Sequence, residues 1–193
     1  KPQHIMAADF YFHNPTFTIQ PLMTVAAFKW QQLPDEDIRY SIAAEEQYLC
    51  FHLYMLENLR HTKAGQLAQR PYEYELGLSV RAGAVKAAVL IAASIIEAAL
   101  RALAESRSYP LNAEPRRRTF GNVIKAWEQN GVPRPDVTKI WPDVKAMHEV
   151  RNLVHLHKAA KDTDAEWGSI LRSEEALLSG ALKAIEHVSK IKV

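Results

Sequence analysis

The sequence predicts an all-α protein: a helical bundle around one long central helix, with a short N-terminal extension. The predicted central helix runs from Tyr72 to Ser106, and its middle, "AVKAAVLIAASIIEAALRALAE", is apolar on nearly every side. A helix of this kind is expected to be surrounded by others. Elsewhere apolar residues recur at three- and four-residue spacing, and no internal repeat or low-complexity tract interrupts the pattern. We therefore expect four long or medium helices plus shorter pieces.

The composition indicates one globular domain, or one domain with an appendage. The chain has 193 residues, of which 48% are hydrophobic and 24% charged, which excludes a disordered protein. Its formal net charge is +2, so nucleic-acid binding would need a local basic patch. The single cysteine, Cys50, excludes an internal disulfide, suits a reducing compartment and is predicted to be a core residue.

Residues 1–34 are predicted to form an N-terminal arm, ahead of a bundle over residues 35–193. The arm could hold a short hairpin or extended segment over "DFYFHNPTFTI" (9–19), and a short helix from Leu22 to Gln32. Its first residues show no signal-peptide pattern. The longest uninterrupted apolar run, "AAVLIAASII", is shorter than the roughly 20 residues of a membrane span. We expect a soluble, cytoplasmic protein.

The first half of the bundle holds two predicted helices. Acidic residues in "LPDED" mark the start of the first, which ends before "HTKAGQLAQRP". Its apolar face is formed by Ile38, Ile42, Leu49, Leu53 and Leu56. The central helix follows, and the proline-containing "SYPLNAEPRRR" connects it to the second half of the bundle.

The second half is predicted to hold three helices and a loop. Thr119 can cap a helix that runs through Gln129 and ends at "NGVPRP". Pro135 and Pro142 bracket a turn or two of helix, and a further helix covers residues 143–157. "KAAKDTDAEWGS" is predicted to be a polar loop. The last helix spans about residues 172–191, with apolar positions at Leu177, Leu178, Leu182 and Ile185.

The stretch "HEVRNLVHLHK" (148–158) places polar groups on a predicted core helix. At ~100° per residue, its apolar stripe includes Arg151, about 50° from the centre. His155 lies at the edge of this stripe, His148 lies on the same side, and His157 falls on the other flank. The stripe itself consists of Ile140, Val144, Met147, Val150 and Val154.

An arginine in such a stripe costs several kcal/mol unless a partner or water reaches it. One explanation is structural: an ion pair with Glu97 of the central helix, or a side chain that extends to solvent. The other is a cleft in which Arg151 faces an anion and a nearby histidine transfers protons. Histidine titrates near neutrality, whereas arginine stays charged and binds phosphate oxygens in pairs.

The residues also bear on the kind of chemistry. Arg151, an orienting Asn152 and a nearby histidine form a plausible minimal set for phosphodiester cleavage without metal. His148, His155 and His157 offer three imidazoles, but no cysteine or acid stands at the spacing of a familiar zinc signature. We therefore expect neither a metal nor another cofactor.

Two further sets of residues are candidates for substrate binding and for packing. Arg116, Arg117 and Arg118 precede a predicted helix N-terminus, where they could contact substrate phosphates or form a solvated charge run. Trp30, Trp127, Trp141 and Trp167 are expected to be packing residues.

Three stretches resemble the HEPN superfamily, over about residues 72–190. "AAVLIAASIIEAALRAL" is similar to the central helix of that family, and "TFGNVIKAW" to the segment that often follows it. "EVRNLVHLHK" is similar to its signature: an arginine, often a polar residue, and a histidine after about four to six intervening residues. Arg151 and Asn152 match, and His157 comes after five intervening residues. His155 comes after only three, and would make the signature degenerate.

The resemblance implies an up-and-down bundle that dimerises through the signature helices, so that two Arg/His sets share one cleft. Active members are metal-independent endoribonucleases, often toxins or phage-defence components beside a nucleotidyltransferase-like antitoxin. It implies catalytic roles for Arg151, Asn152 and His157, with His155 close by and Glu97 and His148 in support. Other members do not cut RNA and bind a protein or nucleotide, which is the alternative for this chain.

Overall fold

The computed structural model describes residues 16–59, 78–130, 132, 134–152 and 163–192. Within these ranges the chain is helical, without strands, and six helices have ten or more residues. We number them α1 (Glu36–Glu57), α2 (Leu78–Ser106), α3 (Phe120–Asn130), α4 (Trp141–Asn152), α5 (Thr163–Arg172) and α6 (Glu174–Val188). The predicted all-α bundle is thereby confirmed.

Helix α2 is the centre of the bundle and packs against each of the other five helices. Ile95, Ile96, Leu100 and Leu103 of α2 are buried almost completely. By length and composition α2 could span a membrane: its most apolar stretch has a mean hydropathy of 1.9. However, 67% of that stretch is buried inside the bundle, as in the core helix of a soluble protein.

Local sequence explains where α1 begins and where α2 ends. The carboxylate of Asp35 accepts hydrogen bonds from the backbone amides of Asp37 (2.9 Å) and Ile38 (3.1 Å), which caps α1. Helix α2 ends where Ser108 adopts a positive φ of 55°. The amide of Tyr109 then donates to the Ala104 carbonyl at 2.9 Å, the Schellman arrangement that satisfies the last carbonyls of a helix.

The N-terminal arm is described from residue 16 onward. The predicted helix over 22–32 is present as an α-helical turn, Leu22–Thr24, continued by a π-helical segment, Val25–Lys29. Trp30 is fully buried, and its indole N–H donates to Glu46 at 2.9 Å, which fastens the arm to α1. Most of the predicted hairpin over 9–19 lies outside the described residues.

The predicted polar loop over 158–169 is wrong from residue 163 onward, because α5 occupies Thr163–Arg172. Ile170 is 4% exposed, and the partly buried Trp167 and Leu171 pack with it on a small apolar cluster that includes Leu56 and Val85. Contacts with residues distant in sequence therefore stabilise this helix, although the polar residues in its first part favour a loop.

Two single-residue predictions are also wrong. Leu182 of α6 is 45% exposed, whereas Ile185 is buried as predicted. Cys50 is exposed on α1, not in the core. The pKa of its thiol is raised, first by local desolvation and then by the nearby carboxylate of Glu46.

Candidate functional site

The candidate site lies where α2, α3 and α4 meet. It contains Glu97 from α2, Phe120 from the start of α3, and His148, Arg151 and Asn152 from the end of α4. These five residues are called the Arg151 cluster below. The predicted apolar stripe is buried: it consists of Ile140, just before α4, and Val144, Met147 and Val150 of α4. This burial holds the apolar face of α4 against the rest of the bundle.

Arg151 forms the predicted ion pair with Glu97. Its Nη1 donates to Oε2 of Glu97, across 54 residues of sequence. The Arg151 side chain is 37% exposed and that of Glu97 is 17% exposed. The guanidinium carbon also lies 5.7 Å from the centre of the Phe120 ring, a cation–π contact. Arg151 is thus oriented from inside the bundle while part of it faces solvent.

His148 lies one turn before Arg151 and touches α3. Its ring meets that of Phe120 edge to face, with 5.5 Å between the ring centres. Its Nε2 would lie only 3.3 Å from a Cβ atom at Gly121, so the glycine makes room for the imidazole. The amide nitrogen of Asn152 lies 3.5 Å from both ring nitrogens, too far for a strong hydrogen bond. The structure therefore brings His148 into the cluster as a packed ring.

His155 and His157 lie outside the described residues, as does Val154. The last described residue of α4 is Asn152, three residues before His155 and five before His157 in sequence. The assignment of the signature histidine stays a prediction.

The three consecutive arginines lie just before α3, and two of them are paired. Pro115–Arg117 forms a 3-10 turn. Nε of Arg117 lies 2.7 Å from Glu114, and Nη1 of Arg118 lies 2.6 Å from Glu105 at the end of α2. Arg116 is exposed. The partly buried pair gives Arg118 a structural role, whereas the Arg117–Glu114 pair is well exposed and therefore weak. The predicted role of all three arginines in substrate binding stays a prediction.

Several other features bear on the candidate chemistry. In the described part of the chain, no group of three His, Cys, Asp or Glu side chains could hold a metal ion. Trp30, Trp127 and Trp141 are buried, as predicted for packing residues, and Trp127 donates its indole N–H to the Leu100 carbonyl at 2.8 Å.

Phe120 belongs to the Arg151 cluster and Gly121 borders it, which the sequence did not predict. Their contact with α4 depends on how α3 crosses α2, which helical periodicity does not give. The available signal was the stretch "TFGNVIKAW", whose Phe-Gly pair stands at the start of α3.

Comparison with known proteins adds no assignment, since no family model, curated protein or solved structure matches this chain.

Proposed function

We propose that this chain is a HEPN-like, metal-independent endoribonuclease, and that it acts as a cytoplasmic toxin or phage-defence component. The observation that carries the proposal is the state of Arg151: Glu97 orients it, and it remains partly open to solvent. The sequence continues from this arginine into His155 and His157.

The geometry of the ion pair suits phosphate binding. A guanidinium has five N–H donors, and Glu97 engages Nη1. Among the described residues its other nitrogens have no hydrogen-bond partner, and we propose that they bind the paired oxygens of a phosphodiester, which arginine matches well. A cation held in place by a carboxylate and an aromatic ring needs little reorganisation when charge develops on a phosphate.

The proposed reaction uses the ribose as the nucleophile. A histidine, His157 in this proposal, takes the proton from the 2′-hydroxyl. The 2′-oxygen forms a bond to phosphorus, and the bond from phosphorus to the 5′-oxygen breaks. The leaving 5′-oxygen takes a proton from water, and a 2′,3′-cyclic phosphate remains. Arg151 would steady the charge on the phosphate oxygens, and His155 would lie beside the reacting groups.

The resemblance also suggests the assembly. A homodimer formed through the α4 helices would bring two Arg151 clusters to one cleft, and a nucleotidyltransferase-like antitoxin would control it. The second copy of the chain and the antitoxin are both proposed partners.

The test is cleavage of labelled single-stranded RNA in EDTA. We expect the parent protein to produce cyclic phosphate ends and the Arg151→Ala/His157→Ala double variant to leave RNA intact. Lys145→Ala is the matched control, because Lys145 is an exposed cation on the same helix and outside the cluster. Intact RNA with folded parent protein would contradict the proposal.

A second candidate is a non-catalytic helical module of the same fold that binds a protein or nucleotide. The Arg151–Glu97 ion pair favours it, because an internal partner alone explains an arginine on the core stripe. In that case Arg151→Ala would lower stability and no RNA would be cut by the parent protein.

A further inference from the structure

A second polar region lies apart from the Arg151 cluster. A cleft of about 580 Å³ opens between the segment around the short helix Pro135–Thr138 and the residues that end and follow α6. Its described lining includes Arg134, Lys139, His187, Lys190 and Lys192. We call these five residues the basic cleft. The rest of the described lining is Pro135 and Ile191, so it contains no acidic side chain.

The walls of the basic cleft are fixed by burial and by a hydrogen bond. Ile191 is 3% exposed, which anchors the chain after α6 between Lys190 and Lys192. Nη2 of Arg107, just after α2, donates to the Lys192 carbonyl at 2.5 Å. On the opposite wall Val137 is fully buried between Arg134 and Lys139. The cations are therefore held in a shaped surface, unlike those of a mobile charged tail.

The basic cleft concentrates positive charge in a chain that is nearly neutral overall. Arg134, Lys139, Lys190 and Lys192 are all cationic at neutral pH, whereas the whole chain has a formal net charge of +2. One acid among the described residues reduces the local field. Glu186 lies 2.6 Å from Nζ of Lys190, but this pair is well exposed and therefore weak. Asp136 is adjacent in sequence, and its side chain lies outside the described residues.

A purely structural explanation covers only part of this arrangement. A cation near the C-terminal end of α6 complements its helix dipole, which accounts for Lys190. Lys139 comes from a different segment, before α4, and the same dipole does not explain it. The convergence of two segments indicates a site for an anion.

We infer that the basic cleft binds the phosphodiester backbone of a nucleic acid. Lysine is depleted in protein–protein interfaces, which need an apolar centre, and here the apolar residues are one proline and a buried isoleucine. Lysine and arginine are the usual partners of backbone phosphates. The described lining holds no Phe, Tyr or Trp, so the contacts are expected to go to phosphates and to be independent of base sequence. This binding does not require cleavage at Arg151.

The test measures binding without turnover. The probe is a fluorescein-labelled single-stranded 2′-O-methyl RNA, which lacks the 2′-hydroxyl nucleophile, followed by anisotropy in EDTA at several salt concentrations. The variant is Lys139→Gln/Lys192→Gln. The matched control is Lys125→Gln/Lys145→Gln, which removes the same charge from exposed lysines outside the cleft. Circular dichroism verifies that both variants are folded.

We expect the cleft variant to bind about tenfold more weakly at low salt, and its salt slope to decrease by about 1.4 for two lost phosphate contacts. The control variant should bind like the parent. Equal weakening in both variants would overturn the inference, because net charge alone would then explain binding. Absence of binding by the parent, or equal displacement of the probe by polyglutamate, would also overturn it. RNA cleavage with an unaffected cleft variant would overturn this inference and leave the proposed function intact.

Discussion

Two arginine–glutamate pairs join other helices to the central helix, and they differ in how fully the arginine is used. Arg81, near the start of α2, donates Nε to Glu174 at 2.9 Å, Nη2 to the same carboxylate at 2.5 Å, and Nη1 to the Leu59 carbonyl. Arg151 donates Nη1 to Glu97. The exposed fractions are similar, at 29% for Arg81 and 37% for Arg151.

This difference in hydrogen bonding indicates different roles for the two arginine–glutamate pairs. Arg81 uses all three nitrogens in hydrogen bonds that join α2 to α6 and to the segment just after α1, as a structural arginine does. Among the described residues Arg151 is held through one nitrogen, and the proposal assigns its other donors to an outside anion. Burial alone would not distinguish the two arginines, whereas the hydrogen bonds do.

The largest effect on stability is expected at the structural pair. Arg81→Ala leaves the Glu174 carboxylate without its partner, and we expect it to lower the free energy of unfolding by about 2 kcal/mol, less than for a fully buried pair because both side chains are partly exposed. Arg151→Ala should cost below about 1 kcal/mol. Urea denaturation measures both. A loss of about 3–5 kcal/mol in Arg151→Ala would instead indicate a structural role for Arg151.

The position of α4, which carries Arg151, depends on a close approach to α6. A Cβ atom at Gly180 would lie 2.5 Å from Oδ1 and 2.9 Å from Cγ of Asp143. We expect Gly180→Ala to destabilise the protein by about 1 kcal/mol, since overpacking outweighs the gain in helix propensity.

The matched control is Gly83→Ala in α2, where nothing lies within 4 Å of the added Cβ. It should stabilise the protein by about 0.5–1 kcal/mol. Thermal unfolding of both variants measures the contrast. Equal shifts in Tm would show that Asp143 moves aside freely.

A smaller effect is expected at Gly121, which contacts the His148 ring. A Cβ atom there would lie 3.3 Å from Nε2, so the imidazole must move by a few tenths of an ångström. We expect Gly121→Ala to shift the His148 Cε1–H resonance in an NMR spectrum and to change stability by less than about 1 kcal/mol. An unchanged resonance would place His148 elsewhere.

The smallest effect is a pH dependence at the surface of α4. The hydrogen bond from Lys145 lowers the pKa of Glu128 below its ordinary value of 4.5. A depressed pKa in the folded state stabilises the protein above the unfolded pKa, and this contribution disappears as the pH falls through the folded value. Lys145→Gln should therefore cost a few tenths of a kcal/mol at neutral pH. Urea denaturation should show no difference at strongly acidic pH, and a persistent difference would refute this origin.

The parts of the fold that follow from local periodicity could be predicted from the sequence. Two apolar patterns predicted helix faces that are buried in the structure. They are the apolar run of α2 and the stripe of Ile140, Val144, Met147 and Val150. The Glu97–Arg151 pairing was predictable for a physical reason: a cation on a core stripe needs a partner, and Glu97 is an acid in the middle of the central helix.

Features that depend on contacts between distant segments could not be predicted. Helix α5 is stabilised by contacts with apolar residues of α1 and α2, while the first part of its own sequence is polar. The basic cleft joins residues 134–139 to residues 187–192, which periodicity does not relate. Cys50 was assigned to the core from its residue type, but its position on α1 faces outward.

The most direct test compares Arg151→Ala with Arg81→Ala in the cleavage of labelled RNA in EDTA, at a temperature where both variants are folded. We predict that Arg81→Ala cleaves as fast as the parent per folded molecule, whereas Arg151→Ala is at least about 100-fold slower, the usual cost of losing one donor that stabilises transition-state charge. Equal rates for the two variants, or no cleavage by the parent, would contradict a distinct role for Arg151.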